Sequence, residues 1–336
     1  MKYPVLKLTE KQKLEVEKFN HDKKIHLEII NCIICKSADY KTLYSNDRYG
    51  INQKTVMCNK CGFIYSNPRM SEESLDYFYS SNLYRELYEA SDDFEHGFSQ
   101  RANKIEKKIN INKPNFNKYY PQLFFDFICS LNLNYKTVCE IGCGYGVNLL
   151  FFKNIGKEIF GIEPSKISAK IAADNQINVK QGFIDDLEDK YDIIILKHVF
   201  EHLYDPSRDL KKIRPHINKY LFIEIPGNFK RIASIQNAHN FYFTENTLNK
   251  IVTSCGFNLI ASEHCKETEF IFSLYEKSNT NNEYEFSYSK EIKFTKKIYR
   301  IDNIRYSITK MLKIIGLHKI LLPLRKSILK IFNLTN

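Results

Sequence analysis

The sequence predicts an α/β protein built on a Rossmann-like parallel sheet, with a small cysteine-rich unit before the sheet and a basic helical extension after it. Three observations carry this prediction. A short apolar strand, Thr137-Val-Cys-Glu-Ile141, runs directly into Gly142, Gly144 and Gly146. Further apolar runs follow at 158–162, 178–182, 191–197 and 220–226, alternating with helical stretches in the rhythm of a parallel sheet and its crossovers. Two Cys-x-x-Cys turns stand upstream, Cys32 with Cys35 and Cys58 with Cys61, separated by 22 residues.

The glycine loop is the most informative element. Alternate glycines let the backbone turn sharply and approach a ligand that Cβ atoms would exclude, and the helix opening near Val147 points its N-terminus at the same place. A dinucleotide fingerprint needs Gly-x-Gly-x-x-Gly, whereas here Glu140 precedes Gly-x-Gly-x-Gly. A carboxylate at that point repels a pyrophosphate and suits a cationic ligand with an amino group. The second strand ends at Glu163, and Pro164-Ser165 opens a helix carrying Ile167 and Ile171. After the third strand comes Phe183-Ile-Asp-Asp-Leu187. The continuous run Tyr191-Asp-Ile-Ile-Ile-Leu-Lys197 reads as a buried parallel strand, followed by His198-Val-Phe-Glu-His-Leu-Tyr-Asp-Pro206. Tyr220–Pro226 supplies a fifth strand, and 257–263 with 269–275 a closing antiparallel hairpin.

Over roughly 120–277 this succession resembles the class I S-adenosylmethionine (SAM)-dependent methyltransferases. The resemblance implies a seven-stranded Rossmann-like methyltransferase sheet with SAM as cofactor. Glu140, Gly142, Gly144 and Gly146 would form its binding loop, Glu163 would accept both ribose hydroxyls, and Asp185 would make the polar contact at the adenine. The segment around His202 matches the family's hydrophobic-Glu-His-Leu-x-Asp-Pro stretch, where the histidine is expected to pack or cap locally. His198 follows the fourth strand directly, at the carboxyl end where open α/β sheets place substrates, and is a catalytic candidate.

The paired Cys-x-x-Cys turns read as two zinc knuckles. Each turn aims two thiolates at one point, and Cys32, Cys35, Cys58 and Cys61 complete a tetrahedral structural Zn2+ shell with no open position. The other cysteines, 129, 139, 143, 255 and 265, sit mostly in apolar contexts and are expected as core residues. With no signal peptide and no apolar run of membrane-spanning length, the expected setting is a reducing cytoplasm.

The chain of 336 residues divides into a helical lead-in (1–30), a zinc ribbon (31–70), a helical cap or linker (71–131), the SAM-binding core (132–277) and a basic amphipathic tail (278–336). Leu14, Val16 and Phe19 mark the lead-in helix. Ser71 with Glu72 and Glu73 starts a helix rich in aromatic residues, and 92–131 is expected to hold two more, separated near Pro114. From residue 289 onward twelve Lys and Arg face two acids, so this stretch carries +10 of the formal net charge of +11. Its apolar residues interleave as amphipathic helices broken at Gly316 and Pro323. That pattern fits an anionic membrane surface, and equally a helical pair docked on the core or on a partner.

Zinc cysteines followed by Gly62-Phe-Ile-Tyr-Ser-Asn-Pro68, an aromatic helix and this core resemble in particular the methyltransferases of deoxysugar, surface-glycan and natural-product biosynthesis. Their C-methylating members carry a Tyr-x-Glu-His element after strand five. Here His239 matches the histidine, but Gln236 and Ala238 stand at the Tyr and Glu positions, and the large C-terminal α/β domain of those enzymes is missing. The reading that follows is O-methylation of a sugar hydroxyl, on a nucleotide- or lipid-linked glycan, with His239 as general base. Sugar C-methylation, RNA methylation by a zinc-ribbon enzyme, and a SAM-binding scaffold remain as alternatives. Nucleic acid is disfavoured because the positive charge is not on the ribbon and the stretch after strand five is Ile-Pro-Gly-Asn.

Overall fold

The computed structural model describes residues 8–81, 83–88, 120–227, 235–265, 268–279 and 284–314. Its N-terminal part opens with α1 (Glu10–His21), capped by a reciprocal pair in which Thr9 accepts from Gln12 and Gln12 accepts from Thr9. Val16 and Phe19 face inward and Leu14 is exposed. β1 (Leu27–Glu28) pairs with β5 (Arg69–Met70), and between them β2 (Tyr40–Tyr44), β3 (Thr55–Cys58) and β4 (Ile64–Ser66) form the antiparallel ribbon. Ser71 caps α2 (Glu72–Ser80), which is followed by α3 (Leu83–Tyr88). The helices expected over 92–131 lie largely outside the described residues; the last is α4 (Tyr120–Ser130).

The core alternates strand and helix: β6 (Thr137–Ile141), α5 (Val147–Asn154), β7 (Glu158–Glu163), α6 (Lys166–Asp174), β8 (Val179–Gln181), β9 (Tyr191–Lys197), α7 (Pro206–Ile213) and β10 (Ile217–Pro226). After the two-residue β11 (Phe241–Tyr242) come α8 (Glu245–Ser254), the hairpin β12 (Phe257–Cys265) and β13 (Phe270–Lys277), and α9 (Tyr288–Ile314). The seven-stranded sheet has the order β12-β13-β10-β9-β6-β7-β8; only the β13 pairings are antiparallel. This is the Rossmann-like architecture expected from the sequence.

The continuous apolar strands are explained by burial on both faces. In β9, Ile193 and Ile195 join a cluster with Phe124, Phe125, Phe152 and Phe222, whereas Ile194 and Leu196 join the opposite one, which also holds Val56, Phe63 and Tyr65 of the ribbon. Each such side chain contributes about 1.5–3 kcal/mol when removed from water. The ribbon and the methyltransferase-like sheet therefore share apolar core. A backbone link reinforces it: β11, which lies beyond strand five of the main sheet, adds to the ribbon's edge with Phe241 opposite Tyr65 and Tyr242 opposite Ile64.

The first half of α9 docks on the same assembly. Glu291 and Thr295 are buried, Thr244 Oγ1 donates to Glu291 Oε1 at 2.7 Å, and Ile298 packs with Leu43, Met57, Ile64 and Tyr242. The break expected at Gly316 and Pro323 lies outside the described residues, and among the described residues no helix is long and apolar enough to cross a membrane. Of the five cysteines expected in the core, Cys139, Cys143, Cys255 and Cys265 are buried, but Cys129 is exposed. It sits near the end of α4 on the side away from the Phe124, Phe125 and Ile128 stripe, so helical periodicity turns it outward.

Candidate active site

The carboxyl ends of β6, β7 and β9 open on a cavity of about 740 Å³. Glu140, Gly142, Gly144, Glu163, Asp185 and His198 all line it. Gly146 does not; it takes a left-handed φ of 75° as the N-cap of α5, where an added Cβ would meet Ile177 at 2.9 Å. Gly142 is also left-handed, and a Cβ there would collide with Val199 at 2.5 Å.

Glu140 is fully enclosed. Its Oε1 accepts from Asn148 Nδ2 at 2.7 Å, while Oε2 is buried with no hydrogen-bond partner. Burial pushes its carboxyl up to about 8, only partly countered by Asn148 and Lys197. An enclosed acid with one unmatched oxygen at the wall of a cavity fits a ligand ammonium group. Glu163 accepts from the Gly144 N–H at 2.8 Å and from the Ser165 N–H at 3.0 Å, so it ties the glycine loop to the start of α6. Asp185 is exposed and paired with Lys212 of α7 at 2.6 Å.

The other end of the cavity is built around an acid–base cluster that the sequence marked only in part. Lys197 and Glu224 stand in register on β9 and β10, and the ammonium donates to both carboxylate oxygens at 2.6 and 2.7 Å. Burial alone would raise Glu224, but Lys197 and His198 hold it down at about 2. His198 Nε2 lies 3.1 Å from Glu224 and Nδ1 3.5 Å from Glu201. Burial opposes a charge on this ring, yet the two carboxylates raise it to about 9. His198 is therefore an imidazolium at neutral pH, able to donate a hydrogen bond but not to act as a base. Its backbone is held at a left-handed φ of 53°, a conformation side chains rarely adopt.

His202 also lines the cavity. Its Nδ1 lies 2.7 Å from the Ala238 carbonyl, which can only accept, so Nδ1 carries the proton and Nε2 the lone pair. The local contact expected from the sequence is present, and it leaves the other nitrogen free to act. Burial keeps His202 below the usual histidine range. His239 is not a lining residue. It is buried behind His202, with ring centroids 4.8 Å apart, and the Gln236 amide, whose oxygen accepts from Arg48, turns its NH2 to His239 Nε2.

The segment bearing His239 is clamped by the ribbon. Asp47 accepts from the N–H groups of Tyr49, Ile51 and Asn237 at 2.8–2.9 Å, Arg48 N–H donates to Ile235 O, and Ser66 Oγ donates to His239 O at 2.8 Å. Sequence reasoning gave no sign of this link, because the partners lie about 170 to 190 residues apart. Opposite the strands, Leu75, Asp76 and Tyr79 of α2 and Tyr84 of α3 close the cavity, and Arg208 of α7 reaches across to Glu72 with a bidentate fork.

The four ribbon cysteines converge. Cys32 and Cys61 Sγ are 3.4 Å apart, as are Cys35 and Cys58, and all four lie within 4.8 Å of one another. Tetrahedral Zn–S bonds of about 2.3 Å separate thiolates by about 3.8 Å, inside this range. Hydrogen bonds from Cys32 and Cys61 pull Cys58 down to about 2, and the same crowding raises its two partners.

Residues 116–262 match a family model described as a methyltransferase domain. With the sheet order and the loop at Glu140, that match makes this region of the chain a class I SAM-dependent methyltransferase domain. No curated protein matches the chain. Among solved structures it is similar to magnesium protoporphyrin IX methyltransferase from Synechocystis PCC 6803 with bound SAH (17% identity, 60% of this chain and 97% of that chain, TM-score 0.42). It is also similar to a SAM-dependent methyltransferase, possible histamine N-methyltransferase, from Thermotoga maritima (19%, 55% and 99%, TM-score 0.40). A third is a SAM-dependent methyltransferase from Clostridium acetobutylicum ATCC 824 (12%, 55% and 100%, TM-score 0.42).

Proposed function

We propose that the protein O-methylates a sugar hydroxyl, with SAM held at the Glu140 end of the cavity and the acceptor at the histidine end. The observation that carries this reading is the single cavity joining the unmatched oxygen of Glu140 to the lone-pair nitrogen side of His202. SAM's ammonium group would sit against Glu140, its ribose at Glu163 and its adenine near Asp185; the sulfonium supplies an already activated methyl group. What remains for the chain is to orient a hydroxyl in line and remove its proton, which positioned acid–base groups accelerate by about 10²–10⁴-fold.

Of the histidines, His202 is the one placed to meet the acceptor with its lone pair, with His239 as its support. His198, as an imidazolium, would donate to an acceptor oxygen. The tyrosines of α2 and α3 offer flat faces to a sugar ring. Cys32, Cys35, Cys58 and Cys61 would hold a structural Zn2+ that fixes the ribbon, and through Asp47 and Ser66 the loop carrying His239. A ribbon whose apolar face is buried in the core and under α9 speaks against nucleic-acid recognition. The acceptor class we favour is a nucleotide- or lipid-linked glycan in the cytoplasm, with the basic stretch 289–336 lying toward an anionic membrane surface.

Calorimetric titration with S-adenosylhomocysteine (SAH), repeated on Glu163→Ala, tests the cofactor half of this reading. Transfer of a labelled methyl group from SAM to a panel of nucleotide sugars and lipid-linked glycans tests the acceptor half. SAH binding that the substitution abolishes, together with base-stable labelling of a sugar oxygen, is the expected result. Labelling of RNA, or of no sugar, overturns the acceptor assignment.

A further inference from the structure

Beside the cavity lies a group of donors that neither the ribbon nor the cofactor loop uses. Glu201 is buried, and neither of its carboxylate oxygens accepts a hydrogen bond. Three imidazole nitrogens surround its Oε1 just beyond hydrogen-bond reach: His198 Nδ1 at 3.5 Å, His202 Nε2 at 3.7 Å and His239 Nε2 at 3.9 Å. The His198 imidazolium offsets part of the charge of this buried carboxylate at a separation longer than a normal charged hydrogen bond, so its matching is incomplete. The Nε2 atoms of His202 and His239 turn lone pairs toward this carboxylate, an arrangement that no direct hydrogen bond satisfies.

We propose that Glu201, His202 and His239 form a second metal site, for a divalent first-row transition ion. The three donor atoms lie within 4.8 Å of one another on buried side chains. Metal–nitrogen and metal–oxygen bonds of about 2.0–2.1 Å would bring them to roughly 3.3–3.4 Å, a closure of about 0.3–0.6 Å from each imidazole to the carboxylate and of at most about 1.5 Å between the two imidazoles. His202 already has the arrangement of a ligand, its Nδ1–H fixed on the Ala238 carbonyl and Nε2 turned to the carboxylate. Two imidazoles and one carboxylate suit Zn2+, Co2+, Ni2+ or Fe2+, and three protein ligands leave a position open. Gln236 now holds His239 Nε2, and an ion would take that nitrogen in its place.

His202 and His198 both line the cavity, so the open position faces the place assigned to the acceptor. The inference rests on that reading and deepens it: an ion here would polarise the acceptor hydroxyl and lower its pKa so that the proton leaves to water before methyl transfer, and His202 would then act as a ligand rather than as the base. The segment Ala238–Asn240 is held by the ribbon, so the four-cysteine cluster and this site are mechanically joined.

Titration of the metal-free full-length protein with Co2+ tests the site. The first equivalent should give the intense thiolate-to-cobalt charge-transfer absorption of the four-cysteine cluster, and a second should add only weaker visible bands without thiolate character. Glu201→Gln and His202→Gln should each keep the first equivalent and lose the second, with affinity for it reduced at least 100-fold. The retained thiolate absorption certifies that the variants are folded. Binding of one equivalent only, or of two by Glu201→Gln, overturns the proposal. SAH titration on the same samples separates this outcome from failure of the cofactor site, since the two readouts are independent.

Discussion

Asn148 Nδ2 donates to Glu140 Oε1 at 2.7 Å and leaves Glu140 Oε2 buried without a donor. One side chain thus half-satisfies an acid that burial keeps protonated up to about pH 8. A cationic ligand group reaching Oε2 restores the ordinary preference for the carboxylate, so cofactor binding and proton loss are linked. At pH 7 about 0.9 protons should leave per SAH bound, and affinity should rise with pH until about 8 and then level. Calorimetry at pH 7 in buffers of different ionisation enthalpy reads this number directly. Glu140→Gln should abolish the release and weaken binding; an unchanged proton count would show that the acid does not meet the ligand.

His198 gives a pH dependence of stability with the opposite sense to a depressed carboxylate. Its folded value, about 9, lies above the unfolded value near 6.5 because Glu201 and Glu224 outweigh burial. The folded state therefore binds the proton more tightly, and the stabilisation is complete below about 6.5 and is lost as pH rises through 9. His198→Gln should be less stable than the parent at pH 6, and the difference in Tm should shrink between pH 7 and 10. A difference that stays constant over that range would remove the imidazolium from the account.

Zinc chemistry should be felt at a distance. The ribbon holds the His239 segment through Asp47, Arg48 and Ser66 and through the pairing of β11 with β4. Chelation, or Cys58→Ser, should therefore raise amide exchange over 235–242 by roughly tenfold or more while β6, β7 and β9 stay protected. SAH binding should survive the same treatment, since Glu140 and Glu163 sit at the far end of the cavity. Loss of protection confined to 31–66 would show that the clamp is not rigid.

The parts of the fold that were legible in the sequence are those with local signals. Strands such as Tyr191–Lys197 announce themselves by continuous apolar runs, the Glu140 loop by its glycines, and the cysteine cluster by doubled spacing. The acid–base cluster at the other end of the cavity was legible only in part, through His198 and His239. Lys197 and Glu224 meet only because β9 and β10 pair in one register, and β11 is two residues long, with no periodicity to read. The sequence marks His202 as a local contact because its Glu-His-Leu segment recurs across the family whatever the acceptor, yet an imidazole has two nitrogens, and Nε2 faces the carboxylate of Glu201. Asp185 shows the mixed case: its place in the chain puts it on the cavity lining, but its pairing with Lys212 of α7 had no sequence signal.

Docking of α9 on the ribbon can be measured by comparing two glycines with the same backbone. Gly62 and Gly156 have φ values of 79° and 77°, so an alanine at either position carries a similar left-handed penalty, about 1–2 kcal/mol. Only their surroundings differ. A Cβ on Gly156 meets nothing within 4 Å, whereas one on Gly62 lies 2.8 Å from Ile292 Cα and 3.1 Å from Ile292 N. Those are backbone atoms of α9 and cannot rotate away, so Gly62→Ala must lift the helix from the ribbon and strain the Thr244–Glu291 hydrogen bond beside it. Gly62→Ala should thus lower Tm by several degrees more than Gly156→Ala, at about 2–4 °C per kcal/mol for a chain of this order of size. Proteolytic sensitivity within 288–314 should appear in the first variant alone. Equal losses in the two variants would mean that α9 is not seated on the ribbon in solution, and that the basic stretch it begins is free to find another surface.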